Sequence, residues 1–218
     1  MRKPRINILG SHKISYYTSM NKLDILTYIT IGIFLGICIY IYLYKSEGFD
    51  LKCIISSVDG NEYCVREREK VDAAADLLAK VAEKCKQLVR YAGDKYPDKA
   101  NVQRLVAGFN PKKIMETLPT STYTAYSENK GEKIAFCLNR KKENNENLID
   151  EHTLTFVAIH ELSHVATKSI GHKNEFWDNF KFLLECAKES GIHKPADYKQ
   201  SPKEYCGMTI NDNPYYDM

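Results

Sequence analysis

The segment His160-Glu161-Leu162-Ser163-His164 places two histidines four residues apart and a glutamate directly after the first. Residues four apart on an α-helix project from one face, so both imidazoles can direct a ring nitrogen at one metal ion. Zinc held by two histidines requires at least one further protein ligand and keeps a position open for water. The segment therefore predicts a zinc site, with Zn2+ as cofactor, His160 and His164 as metal ligands and Glu161 as catalytic general base.

The third metal ligand is expected shortly after this helix. Gly171 can adopt the left-handed conformation that follows a helix and lets the chain turn back. Such a turn would bring His172 toward the metal, and we predict His172 as the third ligand. Two alternatives remain open: Glu175, a carboxylate in the first turn of the next helix, and His193, which lies beyond that helix.

Two helices surround the predicted metal site. Asp150 is a suitable N-cap for the helix that carries the motif. The next helix is predicted at residues 174–190, where apolar residues recur with a helical period and indicate a core-facing stripe. The stripe consists of Phe176, Trp177, Phe180, Leu183, Leu184 and Ala187.

Short β-strands are predicted before the motif helix. Residues 122–126 and 133–138 have a β-type composition, and Asn129-Lys130-Gly131 supplies a turn between them, which indicates a small antiparallel sheet. Together with the helices these strands predict an α+β fold. Helices are expected further upstream at residues 67–92, at residues 101–108 and, briefly, between Asn110-Pro111 and Pro119.

The cysteines allow two interpretations. Cys53 and Cys64 bracket the hairpin turn signal Asp59-Gly60, so a disulfide across that hairpin is one expectation. Free buried cysteines in a reducing compartment are the alternative. Residues 194–218 contain three prolines and predict an irregular segment that Cys206 could tether. The pairing of the remaining cysteines of the domain stays open: Cys85, Cys137, Cys186 and Cys206.

An apolar segment near the N-terminus predicts a transmembrane helix. Residues 25–44 contain no charged residue and match the length that a bilayer core requires. A cleaved signal peptide is the alternative, but its apolar core is shorter. Tyr40, Tyr42 and Tyr44 suit a membrane interface and favour an uncleaved anchor.

The distribution of charge predicts an orientation. Five of the 31 basic residues but only one of the 28 acidic residues precede Lys45, so the remaining chain is nearly neutral. Basic flanks tend to stay cytoplasmic, which predicts a cytoplasmic N-terminus and a domain on the opposite face of the membrane. A start at Met20 would leave only Lys22 as a basic flank. The predicted organisation is a basic tail at 1–22, a transmembrane helix at 23–44, a stalk and β-hairpin at 45–66 and the main domain at 67–218.

From about Lys133 to Gly191 the chain resembles the SprT-like and WLM-type metallopeptidases. The shared features are the HExxH segment at residues 160–164, the small residue and histidine at Gly171-His172, and the aromatic pair Phe176-Trp177. The chain departs from the WLM pattern in one respect, because more residues separate the second and third histidines.

This resemblance implies a zincin-like metallopeptidase domain at residues 67–218. It assigns His160, His164 and His172 to zinc and Glu161 to acid/base catalysis of peptide-bond hydrolysis in a protein or peptide substrate. Such enzymes commonly hold an extended substrate along an edge strand, and the resemblance assigns that role to Ile134–Leu138.

The expected partners follow from charge and composition. Members of these families are often linked to DNA, but the only basic cluster beyond the tail is Arg140-Lys141-Lys142, so we expect no nucleic-acid partner. Gly32 and Gly36 form a small-residue pair through which two transmembrane helices could pack as a homodimer. The amino-acid composition, rich in Lys, Asn and Ile, resembles that of membrane proteins of large DNA viruses. This resemblance implies a viral or virion membrane.

Two other functions share the same residues. A structural or assembly membrane protein could use zinc only to stabilise its fold, but such a site has no need of Glu161. A zinc amidase acting on cell-wall peptides would differ only in its groove. The sequence does not select the group that stabilises an oxyanion; the candidates are Tyr123, Tyr126, Tyr198 and Tyr205.

Overall fold

The computed structural model describes residues 22–45, 51–141 and 147–217. The chain divides into two compact units, Met1–Ser46 and Glu47–Met218. The predicted basic tail falls almost entirely outside the described residues, and the predicted orientation in a membrane therefore stays a prediction.

The first unit contains one apolar helix, α1, at Lys22–Lys45. Its segment Asp24–Tyr42 has a mean hydropathy of 2.1 and is not buried within the chain. Twenty or so residues of helix extend about 30 Å, the thickness of a bilayer core. By length and composition α1 can cross a membrane, as the sequence predicted, although a signal sequence has the same properties.

The second unit begins with a disulfide-bonded hairpin. Cys53 and Cys64 lie opposite each other in the antiparallel register and are joined by a disulfide, which confirms one of the two expectations. Tyr63 and Val65 of this hairpin are buried in the main hydrophobic core, so the hairpin and the following residues share one core. Its strands are β1 at Leu51–Ile55 and β2 at Glu62–Arg66.

Two helices follow the hairpin close to their predicted positions. The first is α2 at Val71–Lys95, and the second is α3 at Ala100–Gly108. One face of α2, on which apolar residues recur every three or four positions, is buried and includes Leu78, Cys85 and Leu88. Cys85 is a free cysteine in that core, as is Cys186 of a later helix.

A three-stranded sheet precedes the helix that carries residues 160–164, with strand order β3-β5-β4. The predicted antiparallel pairing is confirmed for β4 and β5, but β3 pairs with β5 in parallel, so the sheet is mixed. The expected helical piece before Pro119 is wrong, because Ile114 and Glu116 are buried in this pairing. The strands are β3 at Ile114–Glu116, β4 at Ala125–Glu128 and β5 at Lys133–Phe136.

The position of β5 corrects the assignment of the edge strand. Ile134 and Phe136 are fully buried and β5 has a neighbour on each side. An inner strand has no free backbone edge for a substrate. The edge strand that contacts the helix carrying residues 160–164 is β4.

The helix that carries residues 160–164 is α4, at Glu151–Ala166, and it is followed by α5 at Asn174–Glu189. Asp150 accepts a hydrogen bond from the Thr153 amide at 2.8 Å, which confirms the predicted N-cap. Helices α2, α3 and α5 and strand β4 all contact α4, so nearly all of its side chains are buried. The predicted stripe of α5 faces the core except for Trp177, which is 44% exposed.

The C-terminal residues form a second hairpin where an irregular segment was expected. Its strands are β6 at Lys203–Tyr205 and β7 at Met208–Ile210, followed by a short 3-10 helix at Pro214–Tyr216. Cys206 in the turn forms a disulfide with Cys137, which confirms the predicted tether. The Cys206 amide also donates to the Asn139 carbonyl at 2.9 Å, which adds a backbone contact between the hairpin and the residues that follow β5.

A buried ionic cluster joins strand β3 to the end of the first hairpin. Glu116 of β3 accepts hydrogen bonds from the Arg66 amide at 2.7 Å and from the guanidinium of Arg68. All three side chains are at most 2% exposed. Arg66 also donates from Nε to the Thr117 carbonyl at 2.7 Å. The carboxylate therefore compensates two cations that have been withdrawn from water.

We predict that Glu116→Gln lowers the free energy of unfolding by about 3 kcal/mol, because two buried guanidinium groups lose their counter-charge. Urea unfolding, followed by the fluorescence of Trp177, the chain's single tryptophan, measures this change. Glu128→Gln is the control, since it removes a half-exposed pair with Lys133 and should cost less than about 1 kcal/mol. Equal effects of the two variants would contradict this role of Glu116.

We predict that Cys137→Ser with Cys206→Ser releases the C-terminal hairpin. The disulfide closes 69 residues, a loop for which cross-linking stabilises the fold by about 4 kcal/mol. Hydrogen exchange of the amides of residues 203–210 should accelerate. The matched control, Cys53→Ser with Cys64→Ser, should leave exchange in that hairpin unchanged.

Candidate active site

One stripe of α4 faces an open groove. His160 and His164 are partly exposed on this stripe, whereas Glu161 between them is 4% exposed. The groove is also lined by β4 on one side and by Met208–Asp212 and Trp177 on others. The sequence prediction that these side chains share one helical face is confirmed.

The chain reverses direction after α4 and returns His172 to the same stripe. Thr167 ends the helix, and Gly171 adopts a positive φ of 78°, which an L side chain disfavours. Lys130 Nζ donates to the carbonyl oxygens of Thr167 at 2.8 Å and Ser169 at 2.9 Å. These contacts hold the returning loop against the end of α4.

The ring nitrogens of the three histidines converge on one point. Nε2 of His172 lies 3.1 Å from Nε2 of His164 and 3.1 Å from Nε2 of His160. One ligand atom of each residue lies within 4.8 Å of the others. Two nitrogens bound to one zinc at about 2.0–2.1 Å in tetrahedral geometry are roughly 3.3 Å apart, so the observed spacing fits a single zinc ion.

The aromatic ring of Phe176 packs against all three imidazoles. The centroid of the buried Phe176 ring lies 4.8 Å from that of His160, 4.3 Å from His164 and 4.6 Å from His172. The sequence placed Phe176 on the core stripe and in the aromatic pair of the resemblance. Neither assignment predicted its contact with the histidines, although it follows His172 by only four residues.

Burial keeps His160 and His164 neutral. It lowers the pKa of His160 to about 3 and that of His164 to about 4, with the neighbouring imidazoles acting in the same direction. A neutral imidazole presents a lone pair on one ring nitrogen, and ring nitrogens that converge on one point are satisfied by a cation. The donor set therefore fits a zinc ion.

Glu161 lies in an environment that disfavours a negative charge. Burial raises the pKa of Glu161 to about 8, and a hydrogen bond from Ser127 acts in the opposite direction. A divalent cation beside the carboxyl would favour its ionised form. Glu161 thus has the burial and the position of a general base next to a metal.

The two alternative third ligands have other partners. Glu175 accepts hydrogen bonds from the amides of Lys168 at 3.0 Å and Ser169 at 3.1 Å, so it fixes the loop that carries His172. His193 is buried against His152, with ring centroids 4.3 Å apart. Neither side chain belongs to the histidine cluster among the described residues.

The structure also separates the candidate tyrosines. Tyr123, Tyr126 and Tyr205 line the groove, whereas Tyr198 is buried against Phe156. The Tyr205 hydroxyl donates to the Thr124 carbonyl at 3.0 Å, just before β4. Tyr205 therefore positions the edge strand as well as lining the groove.

Comparison with known proteins gives viral sequence relatives. Uncharacterized protein R325 of Acanthamoeba polyphaga mimivirus is 28% identical over 194 residues, 86% of this chain and 98% of that protein. Uncharacterized protein 136R of Invertebrate iridescent virus 6 is 36% identical over 73 residues, 34% of this chain and 40% of that protein. Uncharacterized protein 042R of Invertebrate iridescent virus 3 is 39% identical over 59 residues, 27% of this chain and 36% of that protein. No family model matches the chain.

Among solved structures, Wss1 from Saccharomyces cerevisiae aligns with a TM-score of 0.42 at 16% identity. The alignment covers 58% of this chain and 88% of Wss1.

We predict that the purified chain binds one zinc ion through His160, His164 and His172. Each histidine-to-alanine substitution should lower zinc affinity at least about tenfold, because each removes one of three protein ligands. Zinc content after dialysis against a weak chelator measures the loss. His152→Ala on the same helix is the control and should retain zinc; a zinc content unaffected by His172→Ala would contradict its assignment.

Proposed function

We propose that this chain is a zinc-dependent metallopeptidase. The observation that carries the proposal is the convergence of three imidazole nitrogens beside the buried carboxyl of Glu161, in a groove that opens onto an edge strand. This arrangement is also the one implied by the resemblance to SprT-like and WLM-type enzymes. His160, His164 and His172 are proposed as the zinc ligands.

The proposed chemistry divides between the metal and the chain. When bound, zinc would supply an activated water and polarise the carbonyl that the water attacks. Glu161 would accept the proton of that water and deliver it to the leaving amine. Tyr126 and Tyr123 line the groove, and their hydroxyls are the candidates for a further oxyanion donor, whereas the Tyr205 hydroxyl already donates to the Thr124 carbonyl.

Strand β4 gives the groove a means of holding a polypeptide. It pairs with β5 through one edge and is the last strand of its sheet, so its other edge can pair with an extended segment. Residues 125–128 of this strand all line the groove. A peptide paired with β4 would pass along the histidine stripe of α4.

We further propose that α1 is an uncleaved membrane anchor, with the N-terminus cytoplasmic and the catalytic unit on the opposite face. The two disulfides support an oxidising location for the second unit. The viral relatives agree with a viral or virion membrane. Packing of two α1 helices through Gly32 and Gly36 remains a prediction.

The alternative is a zinc site that only stabilises the fold. A structural site normally has four protein ligands and is closed to solvent. Among the described residues the cluster has three candidate ligands, of which His172 is exposed in the groove. This open arrangement favours catalysis.

We predict that Glu161→Gln abolishes cleavage of unfolded protein substrates such as casein while zinc content stays at the wild-type level. The amide cannot accept the proton, and we expect a loss of at least about a hundredfold in kcat. Glu185→Gln, an exposed position on α5, is the control and should retain full activity. Zinc binding without cleavage by the wild-type chain would favour the structural alternative.

A further inference from the structure

Exposed apolar side chains of the second unit are concentrated around the groove. Large apolar side chains that face water in one contiguous area mark a surface that binds an apolar partner. The groove is lined by five of them, with exposed fractions of 37% for Leu118, 66% for Tyr123, 86% for Ile170, 44% for Trp177 and 48% for Met208. They belong to the segment before β4, the loop after α4, α5 and β7, so every side of the groove contributes.

Apart from Glu161, which belongs to the histidine cluster itself, the charged side chains that line the groove already have partners within the chain. Glu128 bonds Lys133 at 2.8 Å, and Asp212 lies 3.2 Å from Nζ of Lys199. Lys130 Nζ is directed at carbonyl oxygens of the loop after α4. A charged substrate side chain would therefore lose water without gaining a counter-charge.

From these two observations we infer that the occupant of the groove is an extended polypeptide segment with large apolar side chains at the residues beside the histidine cluster. The inference rests on the proposed function for the position of the scissile bond. The groove is expected to select apolar segments and to bind acidic, basic and small polar segments more weakly.

The backbone of such a segment would contact β4, and its side chains would contact the apolar walls of the groove. Pairing with β4 uses main-chain groups and is insensitive to sequence. Every second side chain of a paired strand points to the same side. One set of the bound segment's side chains would therefore face α4, Trp177 and Met208. Folded proteins bury apolar residues of this kind, which makes unfolded or partly unfolded chains the accessible substrates.

The test measures binding separately from cleavage. Zinc-loaded Glu161→Gln full-length chain in lipid nanodiscs is titrated into fluorescein-labelled peptides that differ only at two central residues: Leu-Leu, Ser-Ser, Lys-Lys or Glu-Glu in one Ser/Thr-rich host. We expect the Leu-Leu peptide to bind about tenfold or more tightly than each of the others. Trp177→Ser and Met208→Ser should each weaken Leu-Leu binding several-fold at unchanged zinc content. Ile55→Ser, at an exposed residue of β1 outside the groove, should not.

Equal affinity for the four peptides would overturn the inference, whether or not the wild-type chain cleaves them. Leu-Leu binding unaffected by both groove variants would also overturn it and would assign the exposed side chains to another occupant, such as a lipid surface. Selective, groove-dependent binding of the Leu-Leu peptide without cleavage by the wild-type chain would support the inference and contradict the proposed peptidase.

Discussion

The site depends on the reversal of the chain at the C-terminal end of α4. The last carbonyl groups of a helix lack partners within it and carry a partial negative charge, so a cation stabilises them. Lys130 supplies that cation from the turn between β4 and β5, while Glu175 accepts from the amides of Lys168 and Ser169. These charged hydrogen bonds fix the loop and bring His172 to the other two histidines. Because Lys130 also lines the groove, one residue connects the groove wall beside β4 to the loop that carries His172.

The electrostatics of the site fit a bound cation. Burial disfavours charge on the titratable groups that α4 contributes, raising the pKa of Glu161 to about 8 and lowering that of His160 to about 3. A bound divalent ion would favour the ionised form of the Glu161 carboxyl, and it would require neutral imidazoles, which burial already favours for His160 and His164. The Phe176 ring packs against all three histidines. It excludes water from the site and limits the orientations of the three imidazole rings.

Local patterns predicted the parts of this structure whose determinants are close in sequence. The spacing of His160 and His164, the cap at Asp150 and the hairpin of Cys53 and Cys64 each depend on neighbours within one element. Strand β3 was missed because three residues carry no periodicity, and its conformation is set by pairing with β5 and by the bonds of Glu116 to Arg66 and Arg68. The C-terminal hairpin was missed for a similar reason. It is defined by a disulfide to a residue 69 positions away, which also places Tyr205 and Met208 at the groove. Trp177 was assigned to the core because a helical period reports which face of α5 is apolar and not where that face opens to solvent.

X-ray absorption at the zinc edge of the full-length chain tests the central claim most directly, because it reports the ligands of the metal without reference to any substrate. The geometry predicts a first shell of three imidazole nitrogens at about 2.0–2.1 Å with one further light-atom ligand from solvent, and no sulfur. The same shell should persist in Glu161→Gln, since that side chain is not assigned to the metal. A sulfur shell at about 2.3 Å, or a fourth imidazole, would show that zinc is held in a closed structural site and would contradict the account.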